Sequence, residues 1–415
     1  MPTHLGSLAI RRLPSFRQRF CNLGYLQPDT TSSCDPFSIP GFVSSLDGTS
    51  KDTLTPLGVW RTFDQSCPTS SHLPALLSNL EKSPYYSVAG KHSIANSQST
   101  PGLITNKHVL LVGDSVDRSL VENFCWLAGE TSKPVDSSHP WGKAALASAQ
   151  KDPKSSSSQQ IAHYCYLPKY NFLLTSMYHY GIDETDAWSK IPNYQGPGLF
   201  EDRISQLVLP FLKASANSDL MSNVTPKSRR THVPDMVFFQ SSFWDLALWA
   251  QQDIAAGRSA ESDLTEMRLL KWRSRNVDML SHLASKDVFG YETPLLWRST
   301  HYPAEGANPT IEWFTGQDNP DATAAGKPNH PLFRLNRLHQ LNEAQLSTLI
   351  SGGDDYVRGS KSPSARLPDD LAFVPWGQVM LGQAGKQMDP ISPSPNPGAS
   401  IFAEMMLWNL ALHKP

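Results

Sequence analysis

The chain has 415 residues, 39% hydrophobic and 18% charged, with 33 prolines and a formal net charge of −2. That balance predicts a globular protein with a large core and long loops. Near-neutral charge gives no electrostatic case for nucleic acid or an anionic membrane. No apolar run approaches the roughly 18 residues that a membrane-spanning helix needs.

In chain order, residues 1–58 are rich in Ser, Thr, Pro and Gly without periodicity and read as a mostly irregular leader. Leu8-Ala9-Ile10 runs straight into Arg11-Arg12, too short for the apolar core of a signal peptide. Short apolar runs then alternate with helical patterns. Strands are predicted at 107–113, 170–178, 235–240, 293–299 and 371–375. Helices are predicted at 115–128, 199–216, 242–255, 262–285, 333–350 and 398–412. The last has Asn396 as its N-cap and Pro397 at its first position, with Ile401, Met405, Trp408 and Leu412 on one face. Residues 131–160 and 302–330 carry Ser, Pro, Asn and Gly clusters and read as mobile surface loops. Alternating strands and helices predict one α/β domain, 59–415, with a mostly parallel sheet of about five strands covered on both faces.

Five cysteines (Cys21, Cys34, Cys67, Cys125, Cys165) form an odd set with no metal-type spacing. Neither zinc nor a dense disulfide framework is expected, and no cofactor is implied.

The most informative stretch is Val112-Gly113-Asp114-Ser115, an apolar strand turning directly into a helix. Such a turn places Ser115 at the carboxyl edge of the sheet, where open α/β proteins put their ligands. Its hydroxyl and its own N–H would both face a substrate. The competing reading makes Ser115 only a helix N-cap, a role serine fills well.

Further landmarks follow in order: Trp60-Arg61 with Cys67-Pro68; Arg118; Tyr178-His179-Tyr180-Gly181; Ser242-Phe243-Trp244-Asp245; Trp297-Arg298-Ser299-Thr300-His301; and Asp389-Pro390-Ile391-Ser392-Pro393. Together they resemble the PC-esterase and trichome-birefringence-like branch of the GDSL/SGNH superfamily, in particular its fungal members. The resemblance runs from about Trp60 to Leu412. It implies a three-layer, flavodoxin-like SGNH fold and acyl chemistry at a serine, usually on acetylated sugar hydroxyls. Ser115 matches the nucleophile, and the N–H groups of Ser115 and Gly181 match the oxyanion donors. Donors aimed at developing charge are a large catalytic term, each about 3–4 kcal/mol.

Two positions depart from the family pattern. Trp244 stands where the third block, Gly-x-Asn-Asp, has its asparagine, so Trp244 is either a core residue or a sugar contact, as are Trp249 and Trp297. Asp245 either braces its loop or touches substrate. The last block, Asp-x-x-His-Pro in the family, retains Asp389 and Pro393 but has Ser392 in the histidine position. A serine nucleophile needs a base, and a hydroxyl is none at neutral pH. His301 is the better substitute on sequence position, His179 the other; either could equally be a structural hydrogen-bonding residue. Arg118 and Arg298 read as substrate contacts or as buried ion pairs.

The functional expectation is therefore a serine acyl-hydrolase or O-acyltransferase acting on an acylated glycan or small ester. The alternative is a catalytically inactive glycan-binding protein of the same fold. A monomer without nucleic-acid partner or membrane span is expected. The family implies the secretory pathway or Golgi, although neither signal peptide nor anchor is visible.

Overall fold

The computed structural model describes residues 34–45, 56–67, 69–86, 100–149, 161–192, 194–218, 233–304, 306–317, 330–351 and 366–413. A two-stranded antiparallel ribbon, β1 (Gly41–Ser45) and β2 (Gly58–Thr62), precedes the main sheet. That sheet contains β3 (His108–Gly113), β4 (Lys133–Val135), β5 (Ala162–Leu167), β6 (Phe172–Tyr178), β7 (Met236–Phe239), β8 (Leu295–Arg298) and β9 (Ala372–Val374). Its order is β4-β5-β6-β3-β7-β8-β9. From β6 to β9 every pairing is parallel, whereas β4 and β5 add on antiparallel at one edge.

The five parallel strands are those expected, in the 2-1-3-4-5 order of doubly wound flavodoxin-like sheets. Each residue of β3 is buried, as a strand covered on both faces requires. Adjacent residues on β7 show the two covering layers. Phe238 meets Phe402 of the Ser400–Leu412 helix, while Phe239 meets Phe200 on the opposite face. The Ser115–Leu127 helix packs on β5 and β6, with Phe124 against Phe172. The fold is α/β, a mostly parallel sheet between two helical layers.

Several expectations change in detail. Residues 1–33 and 46–55 of the expected leader lie outside the described residues, but 34–45 are built into the domain. Cys34 is disulfide-bonded to Cys67, Trp60 Nε1 donates to Pro36 O at 2.8 Å, and Phe37 packs on Trp408. The 131–160 loop contains β4 and a helix, Pro140–Ala149, and is followed at once by β5; residues 150–160 lie outside the described residues. The 302–330 loop contains a short helix, Ile311–Phe314, with 318–329 outside the described residues.

Asn396 has the extended backbone of a cap (φ −144°, ψ 122°), yet its side chain does not cap the helix. Its Oδ1 accepts from Gly58 N at 2.6 Å and Ser400 Oγ at 3.1 Å, tying β2 to the C-terminal helix. That helix enters through a π turn, Pro395–Ala399, and residues 401–407 are buried on all sides, not along one stripe. Its buried Glu404 accepts from Ser70 Oγ and from the amides of His72 (2.7 Å) and Leu73 (2.6 Å), satisfying the start of the His72–Leu77 helix.

A second disulfide, Cys125–Cys165, staples the Ser115–Leu127 helix to β5. The odd cysteine count hid two bridges, with Cys21 outside the described residues. Closing a loop of this length removes unfolded-state freedom worth about 2–4 kcal/mol. The double variant Cys125→Ala/Cys165→Ala is expected to lose that amount in urea denaturation, with a steeper denaturant slope because the unfolded chain is less constrained.

Candidate active site

The strand β3 ends at Gly113, and Asp114 (φ −121°, ψ −156°) caps the helix that begins at Ser115. Asp114 Oδ1 accepts from Val116 N at 2.8 Å, and Asp117 Oδ2 accepts from Asp114 N at 3.2 Å, a reciprocal capping box. The cap role therefore belongs to Asp114. Ser115 is the first helical residue, half-buried, at the carboxyl end of the strand between β6 and β7. Chain connections diverge there, which makes it the switch point of the sheet. Gly113 is required by close approach: a Cβ would lie 1.8 Å from Asp117 Oδ2.

Asp117 is held by Arg298 at the end of β8, whose Nη2 lies 2.9 and 2.8 Å from the two carboxylate oxygens. Both side chains are buried, and the guanidinium lies over Trp376 at 4.8 Å. Arg298 is thus a structural ion pair and no substrate contact. Burial, then the neighbouring Asp117, pushes the Asp114 carboxyl up to about 7. Arg118, by contrast, is 44% exposed and 3.8 Å from Glu122, so it remains available at the edge.

Gly181 sits in the turn after β6 with φ +85°, where a Cβ would meet Asp245 Oδ1 at 2.6 Å. Its N–H donates to His179 Nδ1 at 3.1 Å, and His179 Nε2 lies 2.8 Å from Gln240 O. The expected second oxyanion donor is therefore committed within its own turn. Burial brings His179 down to about 4, so the ring is neutral and bridges β6 to β7. Asp245 accepts from Ile182 N at 3.0 Å and Ser241 Oγ at 2.5 Å; burial raises its carboxyl to about 6 against those bonds. It braces the Gly181 turn. Trp244 is buried among Trp188 (4.8 Å), Phe314 (4.6 Å) and Tyr180 (5.1 Å), a core position and no sugar platform.

His301 is buried against Trp376, and its Nε2 lies 2.6 Å from Ile391 O. Burial, then Arg298, drives its pKa to about 3, so it donates as a neutral ring and serves as a clamp, not as the missing base. Ala304 N to Pro390 O (2.8 Å) and Gln387 Nε2 to Tyr302 O (2.6 Å) complete that clamp. In the last block, Asp389 is exposed and its Oδ1 accepts from Ile391 N at 2.9 Å and Ser392 N at 2.6 Å. Its carboxylate closes its own turn, and Ser392 is buried. The block docks through Pro393 O onto Asn123 Nδ2 at 2.9 Å. Asn123 is eight residues past Ser115, about 12 Å along the helix axis. The structure pairs Asp389 with its own loop, and the contacts made by Asp389 and Ser392 do not include Ser115.

A small cleft of about 30 Å³ opens on the β5–β6 side, lined by Asp114, Arg118, Ile161, Ala162, His163, Ser176 and Tyr178. Sequence reasoning missed His163, because β5 lay hidden behind a Ser-rich segment. The alternation in Ala162-His163-Tyr164-Cys165-Tyr166 was the available signal. A larger cavity of about 740 Å³ lies beyond β8 and β9, bordered by Tyr302, Asn308, Phe333, Arg334 and Leu381. Among the described residues no group of three or more His, Cys, Asp or Glu side chains is placed to hold a metal ion, and no helix is long and apolar enough to cross a membrane.

Compared with known proteins, the chain matches no family model, no curated protein and no solved structure significantly.

The two arginines should separate experimentally. Asp117→Ala strands the buried Arg298 and is expected to lose about 3–5 kcal/mol of stability. Arg118→Ala, at a surface pair, should change stability by less than about 1 kcal/mol. Urea titration of both variants checks the contrast.

Proposed function

We propose that the chain is a serine acyl-hydrolase or O-acyltransferase of the PC-esterase type, acting on O-acetylated carbohydrate. One observation carries this reading: Ser115 is part-exposed at the strand-to-helix turn of the central parallel strand, at the switch point of the sheet. Its position in the first helical turn favours anionic chemistry. Val116 N is taken by the Asp114 cap and Asp117 N by Asp114 O, so the amide of that turn offered to an anion is that of Ser115, and the positive end of the helix dipole faces the same edge. With the Gly181 amide committed to His179, the N–H of Ser115 is the principal oxyanion donor in this reading. Two disulfides favour an oxidising compartment, in keeping with the secretory pathway or Golgi.

A specific observation favours a second reading, that of a glycan-binding protein without turnover. The serine in the family's histidine position is buried, and the adjacent aspartate is turned onto its own loop. Loss of a triad histidine alone is worth about 10⁶ in turnover in subtilisin.

Hydrolysis of p-nitrophenyl acetate by the parent and by Ser115→Ala tests the first reading. The variant is expected to fall by at least about 10³-fold. Equal rates would remove Ser115 from the chemistry. An inert parent that still binds an acetylated oligosaccharide would favour the second reading.

A further inference from the structure

The cavity of about 740 Å³ beyond β8 and β9 has the size of small-molecule sites, roughly 300–1,000 Å³. Its walls include the loops that leave the carboxyl ends of two parallel strands, residues 302–310 after β8 and 380–382 after β9. It therefore belongs to the same sheet edge as the Ser115 turn. With neighbouring strands about 4.8 Å apart, β8 lies about 10 Å and β9 about 14 Å from β3. Hydrogen bonds tie the two places together. Tyr302 O accepts from Gln387 Nε2 at 2.6 Å, and Ala304 N donates to Pro390 O at 2.8 Å. Pro393 O of the same segment accepts from Asn123, on the Ser115 helix, at 2.9 Å.

The wall has little polar capacity left for a ligand. Thr310 Oγ1 accepts from Trp313 N at 3.2 Å, Tyr302 Oη lies 3.4 Å from His339 Nδ1, and Pro309 O accepts from Leu332 N at 2.9 Å. Pro303, Pro309 and Pro331 have no N–H to offer. Arg334, the lining guanidinium, is ion-paired with Glu261 of the same wall, so their charges cancel. Phe333 and Met380 are buried in the wall, whereas Leu335 and Leu381 stand at its rim, 57% and 56% exposed. Met388, 59% exposed, continues the apolar surface toward the Ser115 helix, its Sδ 3.7 Å from Asn123 Nδ2. Large apolar side chains exposed along one edge, leading into a cavity, mark a binding surface. Its occupant must be uncharged and poor in hydrogen-bonding groups. A bare sugar would give up hydrogen bonds to water on entering and regain few. Leucine, methionine and proline side chains offer aliphatic contact instead.

Resting on the acyl-transfer reading of Ser115, we propose that this cavity holds the aliphatic chain of an alkyl glycoside whose acylated sugar lies at Ser115. The substrate class is then an acylated glycolipid. Its sugar occupies the turn after β3, and its chain passes Met388 and enters the cavity beside Leu381 and Leu335.

Calorimetric titration of the purified full chain with monomeric hexyl, heptyl and octyl glucoside tests the assignment. Affinity should rise by up to about fourfold for each added methylene. The double variant Leu335→Ser/Leu381→Ser changes exposed side chains, so it should keep the parent's melting temperature. Its octyl glucoside affinity should fall at least about tenfold. With acetylated glucosides as substrates, KM should be lower for the octyl than for the methyl compound, and the double variant should remove that difference.

An affinity independent of chain length, or one unchanged in the double variant, overturns the proposal. The acyl-transfer reading survives that result if Ser115→Ala abolishes p-nitrophenyl acetate hydrolysis. Phenyl glucoside or a glucose oligosaccharide bound more tightly than octyl glucoside, and weakened in the double variant, overturns the aliphatic occupant. Chain-length dependence in binding with none in KM overturns the link to Ser115. Chain-dependent binding that the double variant loses, without turnover of any ester, supports the cavity's ligand class and overturns the acyl-transfer reading.

Discussion

The buried pair between Asp117 and Arg298 is the constraint on which the site geometry depends. It joins the first turn of the helix after β3 to the last residue of β8, strands separated in the sheet by β7. Burying either charge alone would be strongly unfavourable, so each fixes the other in place. The arrangement reaches outward on both sides. Asp117 also accepts the Asp114 amide, which sets the angle at which the helix leaves the strand. Its oxygen fills the space where any side chain at position 113 would stand, which makes Gly113 obligatory. Arg298 in turn lies over Trp376 and Phe402, so the C-terminal helix is packed against the same lock. The orientation of the Ser115 turn is over-determined by charge, steric exclusion and stacking together.

Much of the remaining polar chemistry at this edge serves the scaffold. Loops at the carboxyl ends of buried strands carry backbone groups that must find partners away from water. His179 answers this for the β6 and β7 ends, Asp245 for the Gly181 turn, and His301 for the loop that meets Ile391. Gln240, Ser242 and Thr300 form a further buried network between β7 and β8, with Thr300 Oγ1 donating to Ser242 Oγ at 2.8 Å. Each is a polar residue in a motif position, and each is explained by satisfaction of neighbouring groups. Position in a motif identifies which segments meet; hydrogen-bond accounting decides which of their side chains remain available for a substrate.

The same distinction explains what was legible in the sequence. The five parallel strands were readable because strands buried on both faces appear as continuous apolar runs, as in Val109-Leu110-Leu111-Val112. The short edge strand β4 contains a proline and pairs on an edge, so it left little pattern, and β5 mixes His, Tyr and Cys. Ser115 could be found because its signal is local: strand, glycine, helix. The fate of the Gly181 amide could not, since it depends on a ring two residues away choosing its partner in three dimensions. Arg298 and Arg118 were indistinguishable as letters. Only the placement of Asp117 in the first case, and of solvent in the second, separates them. The disulfides were obscured by the parity of the cysteine count, although an odd total of five is compatible with two bridges.

The electrostatics around Ser115 follow from this placement. Asp114, Asp117 and Asp245 put three buried carboxyl groups near a single helix N-terminus, and the one buried guanidinium among them, Arg298, is paired with Asp117. The helix dipole favours negative charge at that end, but it cannot hold several buried carboxylates fully ionised. Burial and the neighbouring Asp117 accordingly hold Asp114 toward its protonated form. An oxyanion developing beside Ser115 would compete with the Asp114 charge for the same positive potential. The turn is thus most accommodating to anionic oxygen when Asp114 is neutral.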